Sequence, residues 1–227
     1  AKKNKIPVFP SHMVNTKRME SKIKAANIDY VFTFIFRILK PHIFSAPKVA
    51  SINFHPSELP YNRGATPWNW IISQKKTYTK ISIHYISKDN EEGKINKKID
   101  LPNPKGINSR ILREFMFDAG SNYFVKLIFE LKNNQNYSLI DNSTEMGSYE
   151  KPFNSSDTIV SESMKADRIK TIIEASRDSF HNAQFKFQKE GYHIVQAIEL
   201  NNFTSDRLLP ERNDEGDILI NTADNRT

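Results

Sequence analysis

A near-continuous apolar run from Ile28 to Phe36 constrains the fold of this chain more than any other feature. Runs of this kind are typical of β-strands that are covered on both faces, as in parallel sheets flanked by helices. A second strand, Val49 to His55, follows a loop that contains Lys40-Pro41 and Ala46-Pro47. The two runs predict the centre of an α/β domain.

Further strands and helices are predicted on either side of this centre. The strands are expected at 6–9 and 80–86, and the helices at 15–26, 66–73 and 108–132. Asn15 is the expected N-cap of the first helix, and Pro67 suits the first turn of the second. One apolar stripe of the longest helix is expected to face the core: Leu112, Phe115, Met116, Ala119, Tyr123 and Leu127. This alternation favours a largely parallel sheet.

The chain changes character after Asn133. Residues 133–163 are polar and rich in turn formers, a helix is predicted from about 164 to 176, and strand-like runs flank a turn at 189–191. A last strand is predicted at 217–221. We therefore predict a catalytic core (1–132), a linker (133–150) and a small C-terminal helix-plus-β region (151–227) for substrate binding or dimerisation.

Composition narrows the classes of function. The absence of Cys excludes disulfides, thiolate nucleophiles and Cys-ligated metals. With no apolar run of membrane-spanning length and no visible signal peptide, we expect a cytoplasmic protein without membrane contact. The formal charge of +7 suits an anionic partner, although it can equally be ordinary solvated surface. Nucleic acid is not the expected partner because the lysines are scattered, and the histidines outside the segment described next lack metal-ligand spacing, so no metal is predicted.

The segment from Asn53 to Ala65 carries the clearest chemical signal. An amide at Asn53 and an imidazole at His55, two residues apart on a strand, point to the same face of a sheet. One group can polarise a carbonyl while the other moves a proton. This pair is the minimum equipment for acyl transfer without a covalent enzyme intermediate.

The ordered pattern Asn53-x-His55-x-Ser57-x-Leu59-Pro60-x-x-Arg63-Gly64-Ala65-x-Pro67 resembles the N10-formyltetrahydrofolate-dependent formyltransferases. The similarity runs from about Ile6 to Leu131. It implies a Rossmann-like, largely parallel sheet and N10-formyltetrahydrofolate as the formyl donor. The family's opening strand–helix–strand unit has no counterpart before Ile6, so an open sheet edge is expected.

The resemblance also implies roles for individual residues. Asn53 would donate a hydrogen bond to the developing oxyanion, and His55 would act as general base. The family's third catalytic residue is an Asp two positions before a loop glycine, and Glu91 occupies that position before Gly93. Its extra methylene moves the carboxylate, and misplacement of this size can cost roughly 10²-fold in rate. Three possibilities stay open. Glu91 orients His55, Asp89 takes the place of Glu91 after a shift of the loop, or the chain is catalytically impaired.

Binding residues follow from the same resemblance. The backbone of Phe36, Arg37, Ile38 and Leu39 would hold the pterin, although the preceding Phe34 and Ile35 read better as the end of a buried strand. Ser57, Arg63, Gly64, Tyr149 and Lys151 would bind the acceptor. His84 lies on the strand before the Glu91 loop and is expected to be structural rather than catalytic.

The predicted acceptor is a dTDP-linked aminodideoxy sugar of O-antigen or surface polysaccharide synthesis, with the 4-amino isomer favoured over the 3-amino isomer. The segment from Gly147 to Pro152 resembles the linker at which sugar N-formyltransferases meet their nucleotide-linked substrate. Two alternatives stay open: a methionyl-tRNA formyltransferase, and a catalytically impaired relative that only binds a nucleotide sugar. The apolar strands of the C-terminal region also leave a homodimer open.

Overall fold

The computed structural model describes residues 6–34, 38–87, 93–133, 139–140, 142, 147–177, 182–187, 190–194, 196–198, 211–212, 218–220 and 222. The chain divides into two compact units. The first comprises Ala1–Arg63, Lys80–Asp100 and Gly120–Ser148, and the second comprises Gly64–Thr79, Leu101–Ala119 and Tyr149–Thr227. The predicted boundaries at 132 and 150 stay a prediction.

Four strands form the main sheet, in the order β1 (Tyr30–Phe34), β2 (Ala50–His55), β3 (Tyr78–Tyr85) and β4 (Ile95–Pro102). β1 and β2 run parallel, whereas β2 and β3 run antiparallel. The sheet is therefore mixed, and the expectation of a largely parallel sheet is wrong. An apolar run predicts that a strand is buried, but burial carries no information about the direction of its neighbour. The sequence analysis did not predict β4, because three consecutive polar residues, Asn96 to Lys98, break the alternation that is typical of a strand.

The described residues contain five α-helices: α1 (Lys17–Ala25), α2 (Pro41–Phe44), α3 (Pro67–Ser73), α4 (Ser109–Lys132) and α5 (Ala166–Ser176). Thr16 caps α1, because its hydroxyl accepts from the backbone N–H of Met19 at 3.3 Å. Asn15 is not that cap. Within the ranges that the structure describes, no helix has the length and apolar character needed to cross a membrane.

The first residues of the described chain form no strand, contrary to the prediction for 6–9. Residues 6–10 are irregular, and a single 3-10 turn follows at Ser11–Met13. Pro7 and Pro10 lack the backbone N–H that a strand needs for ladder hydrogen bonds. The apolar character of this segment therefore misled the prediction.

One face of the sheet is an aromatic core. The rings of Phe34 and Phe54, on neighbouring strands, stack at 4.7 Å between centroids, and Phe124 of α4 meets Phe32 edge-on at 4.9 Å. α4 approaches closely at Gly120, where a Cβ atom would stand 2.2 Å from the Phe34 ring. A larger residue at 120 would force the Phe34 ring to move out of this packing.

The stripe predicted on α4 is confirmed at three of its six positions. Leu112, Met116 and Leu127 are fully buried. Phe115, by contrast, is 47% exposed. The 3.6-residue period places it at the margin of the apolar arc, where a helix passes from core to solvent.

The second unit has its own core, built where α5 meets a β-hairpin. The hairpin pairs β5 (Ala183–Phe187) with β6 (Glu190–Ile194) in antiparallel register, which confirms the two predicted strands. The buried members of this cluster are Val160, Ile169, Ile172, Ile173, Ala183 and Phe185. A short pair, β7 (Glu211–Arg212) with β8 (Ile218–Leu219), completes the described strands, and β7 was not predicted.

Candidate active site

A row of three polar residues crosses the main sheet on the face opposite the aromatic core. Thr33 of β1 lies beside Asn53 of β2, and Asn53 lies beside His84 of β3. His55, two residues after Asn53, shares this face and pairs with Ser82. The period of two along each strand thus separates an apolar face from a polar one. The structure brings together Asn53 and His55, as predicted, and adds Thr33 and His84.

Hydrogen bonds fix the side-chain amide of Asn53. The Thr33 hydroxyl donates to Asn53 Oδ1 at 2.6 Å, and Asn53 Nδ2 lies 3.1 Å from His84 Nε2. His84 Nδ1 lies 3.0 Å from the Tyr85 carbonyl oxygen. Because a carbonyl can only accept, the proton of neutral His84 is on Nδ1 and its Nε2 is an acceptor. Asn53 therefore donates one N–H to His84.

The second N–H of Asn53 has no acceptor among the residues that the structure describes. The Asn53 side chain is also partly exposed, unlike its buried neighbours Ile52 and Phe54. A donor whose direction is already set, on a side chain that is not fully buried, suits an oxygen atom that gains negative charge.

His55 lies on the same face in a dry environment. It is 5% exposed, and its Nε2 is 3.5 Å from the carbonyl oxygen of Asn62. Burial and, to a lesser extent, the neighbouring His84 lower the pKa of His55 to about 3, although the Asn62 carbonyl acts in the opposite direction. Burial also lowers the pKa of His84 to about 4. Both imidazoles are therefore neutral at pH 7, and a neutral imidazole can accept a proton.

The turn after His55 is held by buried hydroxyl groups. Ser57 is fully buried, and its hydroxyl donates to the Tyr61 carbonyl at 2.8 Å. Ser82 donates to the Ser57 carbonyl at 2.8 Å and accepts from the Leu59 N–H at 2.9 Å. The Ser57 side chain thus holds the turn, and its assignment to acceptor binding stays a prediction.

The loop that carries Arg63 is joined to the segment before Tyr149. The Arg63 N–H donates to the Ser148 carbonyl at 3.0 Å, and the Ser148 N–H donates to the Pro60 carbonyl at 3.2 Å. Gly147 fits against the same carbonyl, since a Cβ atom there would stand 2.0 Å from Pro60 O. These contacts fix the backbone of the segment predicted to meet the acceptor.

Three predicted acceptor residues belong to the second unit. Gly64 has φ +119°, and a Cβ atom there would stand 2.2 Å from the Glu150 carbonyl oxygen, so only glycine fits. Tyr149 is 70% exposed. The Lys151 ammonium lies 2.6 Å from the Asp157 carboxylate and 5.7 Å from the centre of the Trp70 ring. Lys151 is thus already paired.

The predicted pterin segment is described only in part, because Phe36 and Arg37 lie outside the described residues. Ile38 has an exposed side chain, and Leu39 is buried in the core. The Asn15 amide donates to the Ile38 carbonyl at 2.9 Å and accepts from the Lys40 N–H at 2.8 Å. Asn15 therefore clamps the backbone on both sides of Leu39.

Glu91 also lies outside the described residues, so its role stays a prediction. The end of its loop is fixed at Gly93, where a Cβ atom would stand 1.8 Å from the Tyr85 carbonyl oxygen. That same oxygen accepts from His84. Over the described ranges, no group of three or more His, Asp or Glu residues could hold a metal ion.

Sequence reasoning missed the contact of Thr33 and His84 with Asn53. A signal for Thr33 was present, since it is a hydroxyl residue within the apolar run from Ile28 to Phe36. Its meaning depends on strand register, which places it beside Asn53.

The sequence is similar to those of known formyl transferases. Residues 2–103 match the formyl transferase family. A methionyl-tRNA formyltransferase of Sulfurihydrogenibium sp. (strain YO3AOP1) is 28% identical over 234 residues, covering 99% of this chain and 73% of that protein. The chain spans less than half the length of the first curated relatives that it matches.

Solved structures share the fold. A 4-N formyltransferase from Francisella tularensis superposes with a TM-score of 0.66 and 18% identity, covering 82% of this chain and 76% of that one. The N-formyltransferase from Helicobacter canadensis, in complex with folinic acid and dTDP-3-aminofucose, superposes with a TM-score of 0.65 and 20% identity. This match covers 96% of this chain and 76% of that one. Through residues 2–103, which carry Asn53 and His55, this chain is similar to the formyl transferase family.

Proposed function

We propose that this chain transfers a formyl group from N10-formyltetrahydrofolate to the amine of a dTDP-linked aminodideoxy sugar. The 4-amino isomer is favoured, and the 3-amino isomer is the second choice. The observation that carries the reaction class is the second N–H of Asn53, which is held in a set direction and has no acceptor among the described residues. This donor fits the formyl oxygen of the donor substrate.

Asn53 and His55 divide the chemistry between them. When the acceptor amine attacks the formyl carbon, negative charge develops on the formyl oxygen, and the Asn53 N–H stabilises it. His55 takes the proton that the attacking nitrogen loses. It then returns this proton to the departing folate nitrogen as the original C–N bond breaks, so that His55 ends neutral.

The low pKa of His55 makes it a weak base in the described structure. A carboxylate beside the imidazole would favour the protonated form and raise this pKa towards neutrality. We assign that role to Glu91, on the strength of its position two residues before Gly93.

Two observations support a nucleotide sugar as the acceptor. The Helicobacter canadensis enzyme, which shares this fold, binds dTDP-3-aminofucose. The exposed Tyr149 follows the anchored segment at Gly147 and Ser148, and its ring is suited to stack on a base. We assign Arg63, Gly64 and Tyr149 to this binding site.

A methionyl-tRNA formyltransferase is the second candidate, because the alignment with one such enzyme covers 99% of this chain. A catalytically impaired relative is the third, because Glu91 replaces the aspartate of the resemblance. The three candidates differ in what gains a formyl group.

An endpoint assay by mass spectrometry separates them. The protein is incubated with N10-formyltetrahydrofolate and, in parallel, with dTDP-4-amino sugars, dTDP-3-amino sugars and methionyl-tRNA, with Asn53→Ala as control. We expect a one-formyl mass gain on a sugar that is lost in the control. A gain on methionyl-tRNA alone would establish the second candidate. No gain on any acceptor, with a folded protein, would establish the third.

A further inference from the structure

We infer that His84 and Thr33 are positioning residues that hold the Asn53 amide in the one orientation useful for catalysis. The inference rests on the proposed function and goes beyond it, since neither residue touches the reacting atoms. It is carried by the row Thr33–Asn53–His84, in which each pair is adjacent in register and bonded through its side chains.

An asparagine amide has two orientations of nearly equal shape, which differ by a half turn about its last bond. In one, Asn53 presents an N–H to the formyl oxygen. In the other, it presents a carbonyl oxygen, which would repel the developing negative charge. The catalytic value of Asn53 therefore depends on what selects between the two orientations.

His84 makes that selection. Its Nε2 carries a lone pair, because its proton is held on Nδ1 by the Tyr85 carbonyl. In the observed orientation, Asn53 Nδ2 donates to this lone pair at 3.1 Å. After a half turn, Asn53 Oδ1 would face the same lone pair, and two acceptors would repel each other. The imidazole of His84 thus excludes the unproductive orientation.

Thr33 has the complementary role. Its hydroxyl can rotate and serve as donor or acceptor, so it does not discriminate between the two orientations. In the orientation that His84 selects, Thr33 donates to Asn53 Oδ1 at 2.6 Å. This bond restrains the amide from swinging, and it draws electrons towards Oδ1, which makes the remaining N–H a stronger donor.

A double-mutant cycle tests whether Thr33 acts through Asn53. Thr33→Val removes the hydroxyl at nearly constant volume, and Thr33→Ser keeps it. We expect Thr33→Val to lower kcat by about fivefold to tenfold, the effect of one neutral hydrogen bond, with the KM for the folate donor unchanged. Thr33→Ser should restore most of the rate. In the Asn53→Ala background, Thr33→Val should have no further effect.

Ser51→Ala is the matched control, because Ser51 lies on the neighbouring strand β2 and its buried hydroxyl donates to the Phe44 carbonyl at 2.8 Å, outside the row. It should leave kcat unchanged at a comparable cost in stability. The inference for Thr33 would be overturned if Thr33→Val lowered kcat by the same factor with Asn53 present and in the Asn53→Ala variant. A change in KM with kcat unchanged would also overturn it.

An NMR measurement tests His84 without any turnover. In protein labelled with 15N on histidine, we expect His84 at pH 7 as the neutral tautomer with the proton on Nδ1. The Nε2-protonated tautomer would overturn the selection mechanism, whatever the activity. Failure of formyl transfer with every acceptor would instead count against the proposed function and leave the tautomer result standing.

Discussion

Asn53 and Lys151 are both predicted from short motifs to contact substrate, and both are held by neighbours, with opposite consequences. The amide of Asn53 is bonded at two atoms and keeps one donor for a ligand. The ammonium of Lys151 is paired with the Asp157 carboxylate, which neutralises its charge. A held side chain can act on a substrate only if its neighbours leave the required group unused.

The largest effect is expected from removing the general base, His55, which lies on the same face of β2 as Asn53. His55→Ala should lower kcat by roughly 10²- to 10⁴-fold, because a general base has lost its side chain. His12→Ala, at an exposed site, is the control. Steady-state kinetics with the accepted sugar measures the effect, and a loss of less than tenfold would remove His55 from the mechanism.

Removal of the donor itself should have the next largest effect. Asn53→Ala should lower kcat by about 10²- to 10³-fold, the range found when one oxyanion donor is deleted. The KM for the folate donor should change little, because the interaction strengthens as charge develops. A rise in KM with kcat unchanged would mean that Asn53 only binds substrate.

A substitution at Glu91 is expected to raise kcat rather than lower it. Glu91→Asp should raise kcat, by up to roughly 10²-fold if the shorter side chain restores the geometry of the resemblance. Glu91→Gln, which keeps the length and removes the charge, should lower kcat. Single-turnover kinetics on the three proteins separates these results. A fall in kcat with Glu91→Asp would show that the loop is matched to the longer side chain.

The buried imidazoles should make stability depend on pH. Folding lowers the pKa of His55 to about 3 and that of His84 to about 4, from an ordinary value of 6.5. Between pH 6.5 and 4 the unfolded chain therefore binds more protons than the folded one, so the free energy of unfolding falls as the pH falls. Each of the two imidazoles should contribute roughly a few kcal/mol to this loss, at about 1.4 kcal/mol per pKa unit.

Urea unfolding at a series of pH values measures this dependence. His84→Phe, which removes one titrating imidazole, should give a shallower slope between pH 6.5 and 4 than the unsubstituted chain. An identical slope in both proteins would show that His84 titrates alike in the folded and unfolded states.

The smallest effect is expected at Lys151, the residue with which Asn53 is compared. Lys151→Ala should change the KM for the acceptor by less than about threefold, since Lys151 already faces Asp157 and a half-exposed ion pair contributes only about 0–1 kcal/mol. Tyr149→Ala, one exposed ring nearby in sequence, should raise the same KM more. A larger effect from Lys151→Ala would mean that the pair with Asp157 opens when the acceptor binds.

Much of the local structure could be predicted from the sequence. α3 begins at Pro67 as expected, and α4 begins at Ser109, where Asn108 accepts from the Ile111 N–H at 3.1 Å. These features depend on a few neighbouring residues. β4 escaped prediction because its polar, partly exposed residues give no clear period, and Phe115 was misplaced because a helical period does not define how wide the buried arc is.

The sequence by itself determined that Asn53 and His55 share one face of a strand, because side chains two residues apart on a strand always do. Their order within a long motif also indicated the family. Only the tertiary structure decided that Thr33 and His84 flank Asn53, and that the Ser57 hydroxyl holds a turn. Those outcomes depend on the register and direction of strands that are distant in sequence, and pairings of that kind are set by the packing of the whole sheet.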